Sequence, residues 1–233
     1  MHALRWTGPL VVAIAAVVSA QVPLSQEPRH HVVFENAQFR ILNVDVPAGD
    51  TTLMHVHDRD LVTVSMTTGT DTRVQSPGEA WANRAPRPLG DVAVTEYTGK
   101  PQSHRLEVLG KTPYQLFAVE RLRASEATSA APVESGGTRL VKESRSFRVY
   151  DVRLVRDRSQ TSHTHAVPTI AVLLSGKVMS EGPDAQAKAN APAAVGLKQL
   201  DRPGQWVLIP AGDTHHLVRL ASGDAQVVEI EVR

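Results

Sequence analysis

The chain has 233 residues, a formal net charge of +1 and no cysteine. Its hydrophobic fraction (42%) and charged fraction (21%) are those of an ordinary globular protein, which excludes wholesale disorder and a multi-span membrane protein. The nearly balanced charge does not favour nucleic acid or an anionic membrane as a partner. Because cysteine is absent, disulfides, thiolate nucleophiles and cysteine-ligated zinc or iron–sulfur centres are excluded. The ten histidines and the carboxylates are therefore the available metal ligands.

The first twenty residues have the pattern of a cleavable secretory signal. Arg5 precedes an apolar run over residues 10–18, and small residues lead up to Ala20. The run is shorter than the about 20 residues that a membrane-spanning helix needs, so a retained N-terminal anchor is the less favoured alternative. Loss of Arg5, one of 25 basic residues, would leave 24 basic against 24 acidic residues. We predict an exported protein, periplasmic or extracellular, without membrane attachment after signal removal.

The rest of the chain consists of two copies of one repeated unit. A shift of 108 residues aligns residues 33–57 with residues 141–165 and gives seven identities, where average composition predicts roughly one or two. A stretch of small and polar residues separates the two copies and has the composition of a linker. The predicted organisation is a signal peptide (1–20), an N-terminal domain (21–123), a linker (124–137) and a C-terminal domain (138–233).

Both units have the sequence pattern of β-strands. Residues 226–233 alternate, with Glu229 and Glu231 on the face opposite the apolar side chains. In the opening strand the apolar residues change parity between Ile41 and Leu42, which either a bulge or burial of both strand faces explains. Many short strands separated by Gly and Pro turns indicate a β-sandwich or a β-barrel.

Each unit contains a His-x-His pair and a distant third histidine. On a strand, residues two apart project from one face about 6.5–7 Å from each other, so both imidazoles can reach one ion. Three histidines with open coordination positions form a catalytic type of metal site. A single pair is equally compatible with two exposed polar side chains, but its repetition favours metal binding in at least one unit. The predicted ligands are His55, His57 and His104 in the first unit, and His163, His165 and His215 in the second.

The other histidines are interpreted differently. His30 and His31 have no counterpart in the second unit and are assigned to the surface or the tail. His216 is either an alternative ligand or a residue that supports one, but the alignment with His104 favours its neighbour His215.

The histidine pairs sit in a recognisable motif. Gly49, five intervening residues, His55-x-His57 and then Gly69 resemble the first motif of the cupin superfamily, G(x)5HxH(x)3–4E(x)6G. The segment 203–215 resembles the second motif, PG(x)5PxGxxH, and ends at the predicted third ligand. The resemblance covers almost all of residues 30–233 and makes the chain similar to a two-domain cupin. It implies an all-β fold of two tandem jelly-roll β-barrels joined by a short linker, with the histidines inside the barrels.

The motif lacks one expected ligand. Cupins that hold manganese commonly use a Glu between the histidine pair and the following Gly, but this slot holds Val62 (or Leu61) in the first unit and Thr169 in the second. Asp58 and Asp60 lie nearby but have the wrong parity for a simple strand. The resemblance is therefore to the three-histidine cupins that activate dioxygen at ferrous iron. An uncharged ligand set leaves the ion its full charge, which favours an anionic or chelating substrate.

These patterns predict an exported bicupin that binds a divalent metal ion and acts on a small molecule, as a dioxygenase-type enzyme. Fe2+ is the favoured ion, with Mn2+, Ni2+ and Zn2+ as alternatives. The sequence assigns no catalytic acid or base. The alternative function is a non-catalytic module that binds a small ligand or a metal, or that serves a structural role. Unpaired sheet edges are compatible with a homodimer.

Two further sets of residues have open interpretations. The aromatic residues Trp81, Trp206 and Tyr97 either line a barrel mouth or belong to the core, and core is the commoner role. Several charges recur in equivalent places and either support ligands by hydrogen bonds or form surface ion pairs. These are Glu35 with Glu143, Arg40 with Arg148, and Glu120 with Glu231.

Overall fold

The computed structural model describes residues 21–125, 130–156, 159–182, 198–220 and 222–233. Within these ranges the chain forms β-strands and a single 3-10 turn, Leu24–Gln26, and no helix there is long and apolar enough to cross a membrane. The predicted signal peptide and residues 126–129 of the predicted linker lie outside the described residues.

The first half contributes ten strands among the described residues. They are β1 (Val22–Pro23), β2 (His30–Glu35), β3 (Phe39–Val46), β4 (His55–His57), β5 (Leu61–Ser65), β6 (Thr72–Gln75), β7 (Ala82–Arg84), β8 (Val92–Thr95), β9 (Gln102–Val108) and β10 (Tyr114–Arg121).

The second half repeats this series. Its described strands are β11 (Thr138–Glu143), β12 (Phe147–Leu154), β13 (His163–Thr164), β14 (Thr169–Ser175), β15 (Val178–Glu181), β16 (Gln199–Leu200), β17 (Trp206–Ile209), β18 (Thr214–Arg219) and β19 (Ala225–Val232).

Each sheet takes all its strands from one half of the chain. The first half forms the sheets β2-β3-β10-β5-β8 and β1-β4-β9-β6-β7, and the second half forms β11-β12-β19-β14-β17 and β13-β18-β15-β16. The predicted all-β fold with two jelly-roll barrels is therefore confirmed. The described residues between Arg121 and Thr138 contain no strand, and the predicted linker lies there.

The parity change in β3 has a structural reason, which is that both faces of the strand are buried. Ile41 packs in a core cluster that also contains Phe147 and Ile230, so this cluster joins the two halves. The adjacent Leu42 faces the other way, into the interior of the first barrel. Both side chains are fully buried. The register irregularity lies in the partner strand β2, between Val32 and Phe34.

A buried carboxylate also connects the halves. Asp60 is fully buried and accepts a short hydrogen bond from the Ser146 hydroxyl. The Arg121 guanidinium lies 3.0 Å from the same carboxylate, and the Thr98 N–H donates to it at 2.8 Å. These contacts lower the pKa of Asp60 to about 2 although burial alone would raise it. Asp60 thus holds the two barrels together and does not serve as a metal ligand.

Candidate functional site

Strand pairing brings the predicted histidines together in each barrel. In the first barrel β4 pairs with β9, and His55 lies directly opposite His104. In the second barrel β13 pairs with β18, and His163 lies directly opposite His215. The second histidine of each pair follows two residues later on the same side of the backbone. Each trio therefore offers ring nitrogens that lie within 4.8 Å of one another.

The first cluster consists of histidines whose neutral form is favoured. Burial and the neighbouring charges lower the pKa of His57 to about 2, of His104 to about 3 and of His55 to about 4. The Nδ1 atom of His55 lies 2.9 Å from the carbonyl oxygen of Leu53, which can only accept, so Nδ1 carries the proton. The lone pair of His55 is consequently on Nε2, which is buried and has no hydrogen-bond partner.

A cavity of about 170 Å³ opens beside this cluster. The interior of the barrel supplies most of its wall, including Leu61, Leu106 and Leu116, and the three histidines line one side. Tyr97 also lines it, with its ring stacked on that of His57 at a centroid distance of 4.8 Å. The cluster therefore faces a space that a small molecule can enter.

The assignment of His30 to the surface or tail was wrong. Its ring centroid lies 4.8 Å from that of His55, and the side chain lines the cavity with 9% of its surface exposed. Its Nδ1 lies 2.5 Å from Oε2 of Glu27, a carboxylate that also accepts hydrogen bonds from the Arg29 and Leu53 N–H groups. The repeat could not reveal His30 because this residue has no histidine counterpart in the second unit. His31, by contrast, is exposed as predicted.

The second cluster contains a carboxylate that the sequence analysis did not assign. Glu229 on β19 is fully buried. Its Oε2 lies 3.8 Å from Nε2 of His163 and 3.8 Å from Nε2 of His165, and its Oε1 lies 4.0 Å from Nε2 of His215. The Gln160 amide donates to Oε1 at 3.1 Å, whereas Oε2 has no hydrogen-bond partner among the described residues. The expectation of an uncharged three-histidine set is therefore wrong for the second barrel.

Two hydrogen bonds orient the histidines of the second cluster. His163 Nδ1 lies 2.9 Å from the Thr161 carbonyl oxygen, and His165 Nδ1 lies 2.8 Å from Oε1 of Glu231. Both acceptors place the proton on Nδ1, which leaves the Nε2 atoms of these two rings 3.2 Å apart as lone-pair donors. Burial is the main reason that the pKa of His215 falls to about 3.

Strand registry explains why the fourth ligand was missed. The motif slot for the carboxylate holds Thr169, whose hydroxyl instead donates to the Val167 carbonyl. The carboxylate comes from the neighbouring strand, where Glu229 lies opposite Ala171. In the first barrel the residue with the same ladder position is Ala118, opposite Thr63. A Glu on an alternating strand is normally assigned to the solvent face, but this face of β19 is the barrel interior.

The remaining candidates lie away from the clusters. His216 lies near Glu181 and Ser162 and belongs to neither group. Asp58 is exposed, while Val62 is buried in the core between the two halves.

The three aromatic residues, which were expected either to line a barrel mouth or to belong to the core, differ in their positions. Trp206 packs against Phe34 between the halves. The guanidinium carbons of Arg73 and Arg105 lie 4.7 and 5.0 Å from the centroid of the Trp81 ring. Of the three, only Tyr97 lines the cavity.

Glu35 and Glu143 are exposed and pair with arginines, as the interpretation of surface ion pairs predicts. Glu120 and Glu231 are buried, so that interpretation is wrong for these two residues. Glu231 is buried and connects Arg148 to His165. The equivalent Glu120 is also buried and binds Arg40 at 2.6 Å. Burial raises the pKa of Glu120.

Both clusters fit a divalent metal ion on chemical grounds. Buried ring nitrogens without hydrogen-bond partners occur in each cluster, on His55 and His57 in the first and on His215 in the second. Buried polar atoms are normally satisfied, and a cation is the partner that several converging lone pairs require. Protonation would block the nitrogens, and the lowered pKa values of the first cluster and of His215 keep those rings available at neutral pH.

No family model and no curated protein sequence matches the chain. Several solved structures, however, are similar to the chain in fold. AerE from Microcystis aeruginosa is 13% identical, with a TM-score of 0.55 over 89% of this chain and 98% of that chain. A cupin 2 conserved barrel domain protein from Leptotrichia buccalis is 8% identical, with a TM-score of 0.52 over 88% of both chains. Bacillus subtilis oxalate decarboxylase, studied for its Mn(II) centres, is 10% identical, with a TM-score of 0.57 over 94% of this chain and 78% of that chain. The chain therefore has the two-barrel cupin fold.

Proposed function

We propose that the protein is a metal-dependent enzyme of the dioxygenase type whose first barrel receives a small molecule. One observation carries the proposal: three buried histidines with available ring nitrogens stand at the wall of a cavity of about 170 Å³. The B. subtilis oxalate decarboxylase, which shares the fold, has Mn(II) centres, and this supports a divalent ion in the present protein.

The chain's own residues prepare this site. The Leu53 carbonyl fixes the proton of His55 on Nδ1, and burial keeps His57 and His104 neutral. The leucines of the cavity wall make the space beside the histidines apolar, which disfavours ordered water there. A divalent ion held by the three histidines would supply Lewis acidity and, if it is ferrous iron, electrons for dioxygen. The neutral nitrogen set favours Fe2+, with Mn2+, Ni2+ and Zn2+ as alternatives.

The second barrel fits the alternative function better. Its group offers four donors, His163, His165, His215 and Glu229, which is the number found in closed structural metal sites. We assign it a metal-binding role in which the ion stabilises the barrel. The whole protein would act after export, as the signal sequence predicts.

Metal content and oxygen uptake test the proposal. The purified wild type should contain divalent metal, and His55→Ala and His163→Ala should each lose the metal of one barrel. His31→Ala, which removes an exposed histidine, is the matched control and should keep both. Oxygen consumption is then measured over diketones, flavonoids, thiols and phenols, and His55→Ala should abolish it.

The outcomes separate the two functions. Metal in both barrels without oxygen consumption on any compound would favour a binding module. A wild-type protein free of metal after purification and unable to take up Fe2+, Mn2+, Ni2+ or Zn2+ would refute the enzyme and the metal-binding role of the second barrel.

A further inference from the structure

The cavity of the first barrel has a wall without acidic side chains. Its lining residues include two arginines, Arg84 and Arg87, and neither Asp nor Glu. The charged side chains that line the cavity are therefore cationic, whereas Glu27 lies behind His30 and Asp91 pairs with Arg87. A bound divalent ion would add positive charge.

The two arginines differ in how their guanidinium groups are used. Arg87 is fully engaged: Nε lies 2.7 Å from Oδ2 of Asp91, and the terminal nitrogens donate to the Asp91 carbonyl oxygen and to both oxygens of Thr63. Arg84 ends strand β7 and is exposed at the edge of the sheet. In the described part of the chain its guanidinium has neither an ion pair nor a hydrogen bond.

Arg84 is also close to the histidine cluster. After burial and the neighbouring histidines, its positive charge is a further cause of the lowered pKa values of His57 and His104. It likewise lowers the pKa of Tyr97, although burial dominates and raises that value. Arg84 and the three clustered histidines therefore line the same cavity, and its charge acts on these rings.

The rest of the wall is mostly apolar. Side chains from four strands of the barrel supply this part, namely Val44, Val46, Leu61, Leu106, Leu116 and Ala118. An anionic group placed against these side chains, away from Arg84 and the histidines, would be buried without a partner, which is unfavourable. A ligand with one anionic end and an apolar body matches both parts of the wall.

We propose that the first barrel binds small organic monocarboxylates with an apolar body, and that Arg84 pairs with the carboxylate and sets this specificity. The inference rests on the proposed function of that barrel as a small-molecule site. A guanidinium presents two parallel N–H donors that match the two oxygens of a carboxylate. Arg84 is the cation of the wall that is available for this contact, since Arg87 is held by Asp91 and Thr63.

Paired probes that differ only in charge test the proposal. Pentanoate and its uncharged amide, pentanamide, are titrated calorimetrically into the metal-free protein, so that direct coordination to an ion does not contribute. Wild type should bind pentanoate at least about fivefold more tightly than pentanamide, as expected for one charge-assisted contact at a partly exposed site. Arg84→Gln should reduce the ratio of pentanoate to pentanamide affinity to about one. Arg84→Lys should retain part of the preference, because lysine keeps the positive charge but lacks the two parallel N–H donors of a guanidinium.

The matched control is Arg202→Gln. It makes the same change in net charge at a residue of the second half whose side chain is 79% exposed, and it should leave the pentanoate preference unchanged. Equal binding of the two probes by wild type, an unaltered preference in Arg84→Gln, or no detectable binding of either probe would each overturn the proposal.

The result is distinguishable from that for the proposed function. A protein that holds no metal yet prefers pentanoate through Arg84 would refute the enzyme proposal and support this one. A protein that holds metal and consumes oxygen but shows no dependence on Arg84 would do the reverse.

Discussion

The two barrels differ most at one position of their central strand. In the first barrel Ala118 lies between Leu42 and Thr63 in the sheet. In the second barrel Glu229 has the same neighbours by position, Tyr150 and Ala171. The alanine methyl leaves room for the cavity, whereas the glutamate places a buried carboxylate beside the histidines. One interior residue thus separates an open three-nitrogen cluster from a four-donor cluster with a charge.

A second difference concerns how one histidine is oriented. In the second barrel Glu231 accepts from Nδ1 of His165. In the first barrel both nitrogens of the equivalent His57 are buried and have no hydrogen-bond partner in the part of the chain that the structure describes, and Glu120 is bonded to Arg40 instead. Within the described ranges, hydrogen bonds therefore orient two histidines of the second cluster but only His55 of the first. We expect the second cluster to bind a divalent ion more tightly for this reason.

The largest expected effect is that of Glu229→Gln. Loss of the only charged donor of the second group should weaken its metal affinity by about 100-fold or more, because charge dominates attraction in a buried site. The same change should stabilise the metal-free protein by about 1–3 kcal/mol, since Oε2 of Glu229 is buried without a partner. Metal titration and thermal unfolding measure both. An unchanged metal affinity would show that this carboxylate is not a ligand.

Substitution of Glu231 should have the next largest effect. Glu231→Gln removes the charged acceptor for His165 and should weaken the second-barrel site by about 10–100-fold. The equivalent Glu120→Gln is the matched control, and first-barrel metal affinity should remain within about twofold because Glu120 does not contact His57. Metal affinity is measured by competition with a metal indicator. Equal losses of affinity in both barrels would contradict the proposed role of Glu231 in orienting His165.

The first barrel should make the metal-free protein sensitive to acid. The unfolded chain protonates histidine near pH 6.5, whereas folded His55 has a pKa of about 4. Between these values the unfolded state binds the additional proton, so the free energy of unfolding falls as pH falls from about 6.5 to about 4, by about 2–3 kcal/mol for this residue.

Denaturant titrations across this range test the pH effect. His55→Gln should show a shallower pH dependence, and His31→Gln, at an exposed site, should follow wild type. A His55→Gln profile parallel to that of wild type would contradict the assignment.

The smallest effect is expected from building the second site into the first barrel. Ala118→Glu should raise first-barrel metal affinity by about tenfold, because it adds a charge where Glu229 stands in the other barrel. The metal-free variant should lose about 1–3 kcal/mol of stability, because the new carboxylate is buried without a partner. The extra volume enters the cavity, so the variant should bind pentanoate less well. An affinity equal to that of wild type would show that ladder position alone does not place the carboxylate.

Much of the architecture could be predicted from the sequence because the repeat and the histidine spacing are local patterns. The His-x-His pairs and the third histidines predicted both clusters, since residues two apart on a strand share a face. Ile41 and Leu42 indicated a strand buried on both sides, which the shared core between the barrels explains. The fourth ligand was expected within the motif that contains the histidine pair. Glu229 lies on another strand, and a local sequence motif does not include residues from another strand.

What the sequence determined by itself is the duplicated β-architecture and the trio of imidazoles in each half, because both follow from short-range periodicity. What only the tertiary structure decided is which polar residues face inward. Glu229 joins its cluster, His30 reaches the cavity and Asp60 links the barrels because sheets from distant parts of the chain pack against them. Alternation along a strand divides side chains between two faces, but the packing of the sheets determines which face is inside.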